Sequence, residues 1–188
     1  WKVDLAYSCS QKGLSCPPGL GPFTMNKRAE EKLNNRKGKV PNWYLDLSLL
    51  NQYWGSDRVY HHTAPVNMNF GIREALRLIV EEGLENSWDR HRTNAEALWH
   101  GLESMGLELH VKEELRLPTL TTVKIPNGIN GKSFTLHLLN NFGVEIGGGL
   151  GDLAGKVWRI GLMGHNSQKK NVDKVLNLFE SELPKFKD

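Results

Sequence analysis

Along residues 72–80 the apolar positions Ile72, Ala75, Leu76, Ile79 and Val80 fall at i, i+3, i+4, i+7 and i+8. That spacing gathers side chains on one face of a helix. Gly83 breaks the register. Beyond it Leu84, Trp88, His91, Ala95, Leu98, Leu102 and Met105 advance in alternating steps of four and three, a seam along one long helix ending at Gly106. So short a seam, holding a His and an Ala, suits packing within its own domain better than a coiled coil. After Gly106 the period changes to two: Leu107, Leu109 and Val111 alternate with polar residues, and residues 121–125 are rich in β-branched side chains. A helix is predicted from Asn130 or Gly131 through Phe134, Leu138 and Phe142, closed by Gly143. Strands are predicted at 144–146 and 157–162 with a glycine-rich loop between them. A last helix, capped by Ser167, carries Val172, Val175, Leu176, Phe179 and Leu183 on its apolar face.

The order β-β-α-β-β-α describes an α+β lobe with helices on one face of a small sheet. The N-terminal stretch is different. Residues 3–7 read as a short strand running into a small polar loop, and Pro17-Pro18-Gly19 forbids regular structure. Residues 22–25 suit a second short strand. Asn26 suits the N-cap of a helix to about Arg36, ending near Gly38, and residues 45–54 suit another helix. One or two short strands are too little sheet for a stable α/β layer. The chain therefore reads as residues 1–83, an incomplete first domain, residues 84–106, a linking helix, and residues 107–188, a small α+β domain.

The 188 residues suffice to bury a core without disulfides. The 24 Lys and Arg are interleaved with 21 Asp and Glu for a net charge of +3, the pattern of a solvated surface rather than of a nucleic-acid partner. No apolar run reaches membrane-helix length, and the start lacks the basic-then-apolar order of a signal peptide. Cys9 and Cys16 form no disulfide framework or zinc pattern, which suits reduced thiols in an intracellular protein. His61 and His62 are adjacent, so on a regular element they would point apart.

Four features could carry chemistry. Lys12 follows a strand, stands among small residues and precedes a glycine. It is either a solvated surface lysine or an amine at the mouth of a sheet, where desolvation could make it a Schiff-base nucleophile. Arg159 lies in the apolar run Val157-Trp158-Arg159-Ile160. Burial there demands a partner, either a carboxylate of the protein or one brought by a ligand. The loop 147–152 is either a plain turn or a place where backbone approaches something closely. It lacks the strand–loop–helix context of a dinucleotide site. Tyr60-His61-His62-Thr63 offers two hydroxyls suited to phosphate, or is a solvated loop.

Together these pieces resemble the class V aminotransferases. Ser8-x-Ser10-Gln11-Lys12 with Pro17-Pro18-Gly19 is similar to the family's cofactor-lysine loop. Tyr60-His61-His62-Thr63, Gly83-Leu84-Glu85-Asn86-Ser87-Trp88, Arg116-Leu117-Pro118-Thr119, Gly148-Gly149-Leu150-Gly151 and Arg159-Ile160-Gly161 follow in the family's order. The resemblance spans essentially the whole chain. It implies the C-terminal part of a type I aminotransferase fold: the end of the large domain, the linking helix and the small domain. It implies pyridoxal 5'-phosphate as cofactor, with Lys12 as catalytic residue holding it as an internal aldimine and then moving a proton. Gln11 would donate to the cofactor phosphate. Tyr60 and Thr63 would reach the phosphate in the neighbouring subunit of a homodimer with shared active sites. Arg159 would hold the substrate carboxylate, and Gly148 to Gly151 would lie near the substrate entrance.

The branch it most resembles moves an amino group from alanine or serine to glyoxylate or pyruvate. A 3-hydroxykynurenine transaminase and a non-catalytic dimerisation or binding module derived from the fold are the alternatives. A desulfurase would want a catalytic cysteine on a loop here, and neither Cys9 nor Cys16 is suitably placed. Full members are about twice this length, so the remaining cofactor contacts, a stacking aromatic, an Asp for the pyridine nitrogen and a phosphate loop, are expected outside these residues. The resemblance suggests a peroxisome or mitochondrion. The C-terminal Phe186-Lys187-Asp188 is not a Ser-Lys-Leu type address.

Overall fold

The structure is a computed structural model that describes residues 2–187. The chain divides into two compact units. The first comprises residues 1–11 and 16–75, the second residues 12–15 and 76–188.

In the first unit, β1 (Leu5–Tyr7) pairs antiparallel with β2 (Phe23–Met25), Ala6 facing Thr24. Helix α1 (Lys27–Asn34) is capped as expected: the Asn26 side chain accepts from the Ala29 N–H. It stops at Asn34, short of Arg36. Helix α2 (Leu47–Trp54) starts after a 3-10 turn at Trp43–Leu45 and is capped by Asp46, which accepts from the Ser48 N–H. Helix α3 (Val66–Glu82) begins in this unit. Along the apolar face of α3 Ala75 is buried, while Leu76 and Val80 are exposed.

The second unit holds the core. Helix α4 (Leu84–Ser104) begins at Gly83, whose φ of +85° favours glycine, as expected of a break between helices. Its seam is buried only in the C-terminal half, at Ala95, Leu98 and Leu102; Leu84 and Trp88 are exposed. Strands β3 (Leu120–Lys124), β4 (Gly147–Gly148) and β5 (Val157–Gly161) form an antiparallel sheet in the order β3-β5-β4. Helix α5 (Gly131–Phe142) is capped by Asn130 and closed by left-handed Gly143, as its sequence predicts. Helix α6 (Lys169–Glu182) completes the lobe.

Register explains the two faces of this sheet. Thr121 faces Ile160 and Val123 faces Trp158, and all four are buried. Val123, Trp158 and Ile160 meet Leu98 and Leu102 of α4, Phe134 and Leu138 of α5, and Val172 and Phe179 of α6 in one cluster. Trp158, Phe134 and Phe179 pack as tilted or edge-to-face rings at 5.2–5.5 Å, the geometry aromatic quadrupoles favour. The other face presents the row Thr122, Arg159 and Gly147.

Three expectations shift. Residues 107–111 form no strand; Leu109 makes an isolated bridge to Val123 and a 3-10 turn follows at Glu113–Leu115. The strand expected at 144–146 lies at Gly147–Gly148 instead, where bare backbone pairs with Trp158 and Arg159. Gln168, not Ser167, is the N-cap of α6. The Ser167 hydroxyl is buried and accepts from the Asn94 side chain at 3.3 Å.

Candidate functional site

Lys12 stands in the turn that follows β1. Ser10 fixes one flank of that turn. Its fully buried hydroxyl donates to the Pro17 carbonyl at 2.7 Å and accepts from the Leu20 N–H at 3.3 Å, while its carbonyl accepts from the Cys16 N–H. One small polar residue thus satisfies the loop that the prolines keep irregular. Gly71 lets α3 approach this loop, since a Cβ there would lie 3.3 Å from Cys16 Sγ. Cys16 is a buried free thiol and Cys9 is also free. The turn itself is closed by a 2.9 Å bond from the Ser15 N–H to the Lys12 carbonyl. The Lys12 and Gln11 side chains are exposed, and neither makes a hydrogen bond or ion pair among the described residues.

Tyr60 and Thr63 are brought together. Their hydroxyls are 2.8 Å apart and both side chains are exposed. Between them the chain doubles back. His61 is buried, stacks on Trp43 at 3.9 Å and contacts the Trp43 carbonyl through Nε2 at 3.0 Å. A carbonyl can only accept, so Nε2 carries the hydrogen. His61 Nδ1 lies 2.9 Å from His62 Nδ1, one ring nitrogen donating to the other. The two rings therefore meet rather than point apart, because this segment is neither helix nor strand. A buried His61 anchors the loop that displays the two hydroxyls.

Arg159 sits on the open face of the second unit's sheet. Its Nε donates to the Gly148 carbonyl at 2.6 Å. Among the described residues it forms no ion pair, so none of their carboxylates is its partner. The Gly147 position opposite leaves ordinary space beside the guanidinium: a Cβ there would lie 3.5 Å from Nη2. The loop 147–152 is no plain turn. It is an edge strand followed by a 3-10 turn at Gly151–Leu153. Gly149 is where backbone approaches closely, for a Cβ there would overlap the Leu153 carbonyl.

Three kinds of donor are therefore present: an amine that can form a Schiff base, paired hydroxyls that suit phosphate, and a guanidinium that suits a carboxylate. They fit pyridoxal phosphate with an amino-acid substrate. Among the described residues no group of His, Cys, Asp and Glu is arranged to hold a metal, and no helix is long and apolar enough to cross a membrane.

Sequence reasoning did not single out Ser15, His91 or Gly164. His91 Nδ1 contacts the Ser87 carbonyl at 2.6 Å and its Nε2 accepts from the Gly164 N–H at 2.8 Å. Arg90 Nη1 donates to the carbonyls of Gly164 and Ser167 at 3.0 and 2.6 Å. Its other edge holds the Glu82 carboxylate bidentately. Arg90 keeps the Glu82 carboxyl below the usual carboxylate range, and Glu82 in turn raises the guanidinium. His91 is hidden in the sequence because it occupies an apolar seam position.

The family model described as Aminotransferase class-V matches residues 1–175. The chain is 44% identical over 185 residues to alanine–glyoxylate aminotransferase of Oryctolagus cuniculus, covering 96% of this chain and 47% of that protein. The crystal structure of alanine–glyoxylate aminotransferase from Nostoc sp. superposes with a TM-score of 0.93 at 62% identity, covering 97% of this chain and 48% of that one. The crystal structure of ureidoglycine–glyoxylate aminotransferase from Bacillus subtilis gives a TM-score of 0.95 at 42% identity, covering 99% and 48%. The chain spans about half the length of the curated relatives it matches.

Proposed function

Because the chain belongs to the class V aminotransferase family, we propose that it supplies the lysine-bearing and carboxylate-binding parts of a pyridoxal 5'-phosphate-dependent transaminase. The amino donor is alanine or serine and the acceptor glyoxylate or pyruvate. Among the three relatives named above, two take their name from alanine and one from ureidoglycine, and all three from glyoxylate. Glyoxylate is therefore the better supported half of the pair. The observation that carries the reading is Arg159, a guanidinium on an open sheet face with a carbonyl on Nε and no carboxylate beside it among the described residues.

When bound, pyridoxal phosphate supplies the electron sink that makes the substrate α-proton removable. The chain's own residues do the rest. Arg159 binds the substrate carboxylate through its terminal nitrogens and so fixes which α-substituent faces the amine. Lys12 Nζ, once free and neutral, takes the α-proton and later returns one. Gln11 donates an amide N–H to the phosphate. Tyr60 and Thr63, already 2.8 Å apart, donate hydroxyls to the phosphate of the partner subunit in a homodimer. Their mutual hydrogen bond pre-sets the spacing, and the hydroxyl that donates in it turns its one proton to the phosphate on binding.

The test uses the full-length polypeptide. Borohydride reduction after adding pyridoxal phosphate, followed by peptide mapping, should place the label on Lys12. Lys12→Ala should reduce alanine–glyoxylate turnover to background. A label on another lysine, or turnover surviving in Lys12→Ala, overturns the reading.

A further inference from the structure

The Lys12 turn is held from its own unit by a chain of polar contacts that the reaction above does not use. Ser15 closes the turn with a φ of +57°, a left-handed conformation that a residue with a Cβ seldom adopts. Strain of this kind persists only where surrounding contacts over-determine it. Here the contact is specific: Ser15 Oγ accepts from the His165 N–H at 2.7 Å.

The neighbouring Gly164 has a φ of +58°, and it has no room for a side chain. A Cβ there would overlap Ser15 Oγ and lie 3.0 Å from the Gly13 carbonyl. The two peptide groups that flank the Gly164 Cα are each gripped by α4. The Gly164 N–H goes to His91 Nε2 and its carbonyl to Arg90 Nη1. The tautomer of His91 follows from its other partner. Nδ1 faces the Ser87 carbonyl at 2.6 Å, so Nδ1 carries the hydrogen and Nε2 is left as the acceptor that Gly164 needs. Arg90 is itself oriented by Glu82, and Asn94 reaches the buried Ser167 hydroxyl. Adjacent polar residues of α4 are thus committed to one short loop, and that loop contacts the lysine turn through Ser15. Apolar packing alone could have joined a helix to a loop. Hydrogen bonds of fixed direction instead define where the loop stands.

We propose that His91 is a positioning residue for Lys12, acting through the Gly164–His165 backbone and Ser15. The inference rests on Lys12 being the reactive amine, as argued above. In this role His91 acts through backbone that it hydrogen-bonds, not on the reacting atoms. Its Nε2 fixes the 163–164 peptide through the Gly164 N–H, Arg90 fixes the next peptide through the Gly164 carbonyl, and the His165 N–H of that second peptide sets the turn from which the amine extends.

The test compares His91→Leu, His91→Gln and Ser15→Ala in the full-length polypeptide. Hydrogen exchange by mass spectrometry reads peptides spanning residues 12–15 and 162–168, with and without pyridoxal phosphate. His91→Leu should speed exchange about tenfold or more in both peptides and lower kcat by a similar factor. The KM for the amino acid should change little, because Arg159 binds the carboxylate. His91→Gln, whose side-chain oxygen can accept from Gly164, should restore both readouts. Ser15→Ala should loosen 12–15 and lower kcat, while within 162–168 the added exchange is confined to the His165 amide, which loses its acceptor. Should His91→Leu fail to fold, the Gln and Ser15 variants carry the same comparison.

Loosening confined to 162–168, with kcat and the 12–15 peptide unchanged, overturns the proposal. So does a Gln variant that behaves like Leu while remaining folded. Failure of the transaminase reading is separable: Lys12→Ala would then keep turnover, whereas failure of this inference leaves Lys12→Ala inactive and His91→Leu at full kcat.

Discussion

Arg159 carries its charge on a sheet face between Thr122 and Gly147, with one nitrogen on a carbonyl and the rest available. Replacing it by lysine keeps the charge but removes the planar fork that holds two carboxylate oxygens at once. Arg159→Lys in the full-length protein should therefore raise the KM for amino and 2-oxo acids by about 10- to 100-fold. Steady-state kinetics with both substrates checks this, and an unchanged KM would place the carboxylate elsewhere. Glu182 makes a different prediction. Its side chain is 10% exposed, and Lys185 first and His137 second hold its carboxyl below the usual range by hydrogen-bonding the ionised form. The folded state binds that proton less readily than the unfolded chain. The stabilisation is fully present above the unfolded value of about 4.3 and is lost as pH falls through the lower folded value. The gap in urea midpoint between the wild type and Glu182→Gln should therefore narrow as pH drops below about 4. Lys12 and Arg159 were legible as candidates because an amine beside glycine and a guanidinium among apolar residues are chemically conspicuous. His91 was not, because its seam position reads as packing and its partner is a backbone N–H.

Elements follow the sequence where a cap and a period agree. Asn130 accepts from the Ser133 N–H at 3.0 Å and Gly143 closes the same helix in the left-handed region, so α5 lies where the sequence predicts it. Asn130→Ala should cost about 1 kcal/mol of unfolding free energy, read from urea titration. Within α5, Phe134 is fully buried against Trp158, Phe179 and Phe186. Phe134→Ala should cost roughly 3–5 kcal/mol, several times the cap, because it leaves a cavity between ring edges that cannot close. If the two variants shifted the transition equally, the core would not be organised around Phe134. Misplaced elements have a physical cause too. Val144 to Ile146 carry strand-forming side chains, but the neighbour of β5 is the bare pair Gly147–Gly148. Propensity counts side chains, whereas an edge ladder needs only backbone groups and room for Arg159. The alternation at Leu107, Leu109 and Val111 yields one bridge to Val123, since a 3-10 turn takes over before a ladder can form.

At the scale of the molecule the two units differ in what could hold them together. The apolar cluster that joins Leu98, Val123, Phe134, Trp158 and Phe179 belongs to the second unit. In the first unit the buried apolar side chains among the described residues are Cys16, Leu50 and Ala75. Trp43, Tyr44, Trp54 and Phe70 lie exposed there. Burial of apolar area is the main term opposing chain entropy, at about 25 cal/mol per Å². A unit with so little of it is ordered by local bonds, such as those of Ser10 and His61, rather than by a core. That contrast was half legible: the sequence reads as an incomplete first piece beside an α+β lobe, and the periodicity of α3 marks an apolar face without saying that Leu76 and Val80 on it stay exposed. Helical spacing records that a face is apolar, not which surface covers it. Hydrogen exchange on the 188-residue chain by itself should thus separate the units. Amides of α4, β3, β5 and α6 should be protected in one cooperative set, while residues 23–60 exchange at least about a hundredfold faster. Joining the same residues to the rest of a full-length polypeptide should raise protection across 23–60 and along the exposed face of α3, because Leu76 and Val80 would then find apolar partners. Equal protection of both units in the isolated chain would mean that local hydrogen bonds suffice, and that the open apolar face has no part in stability.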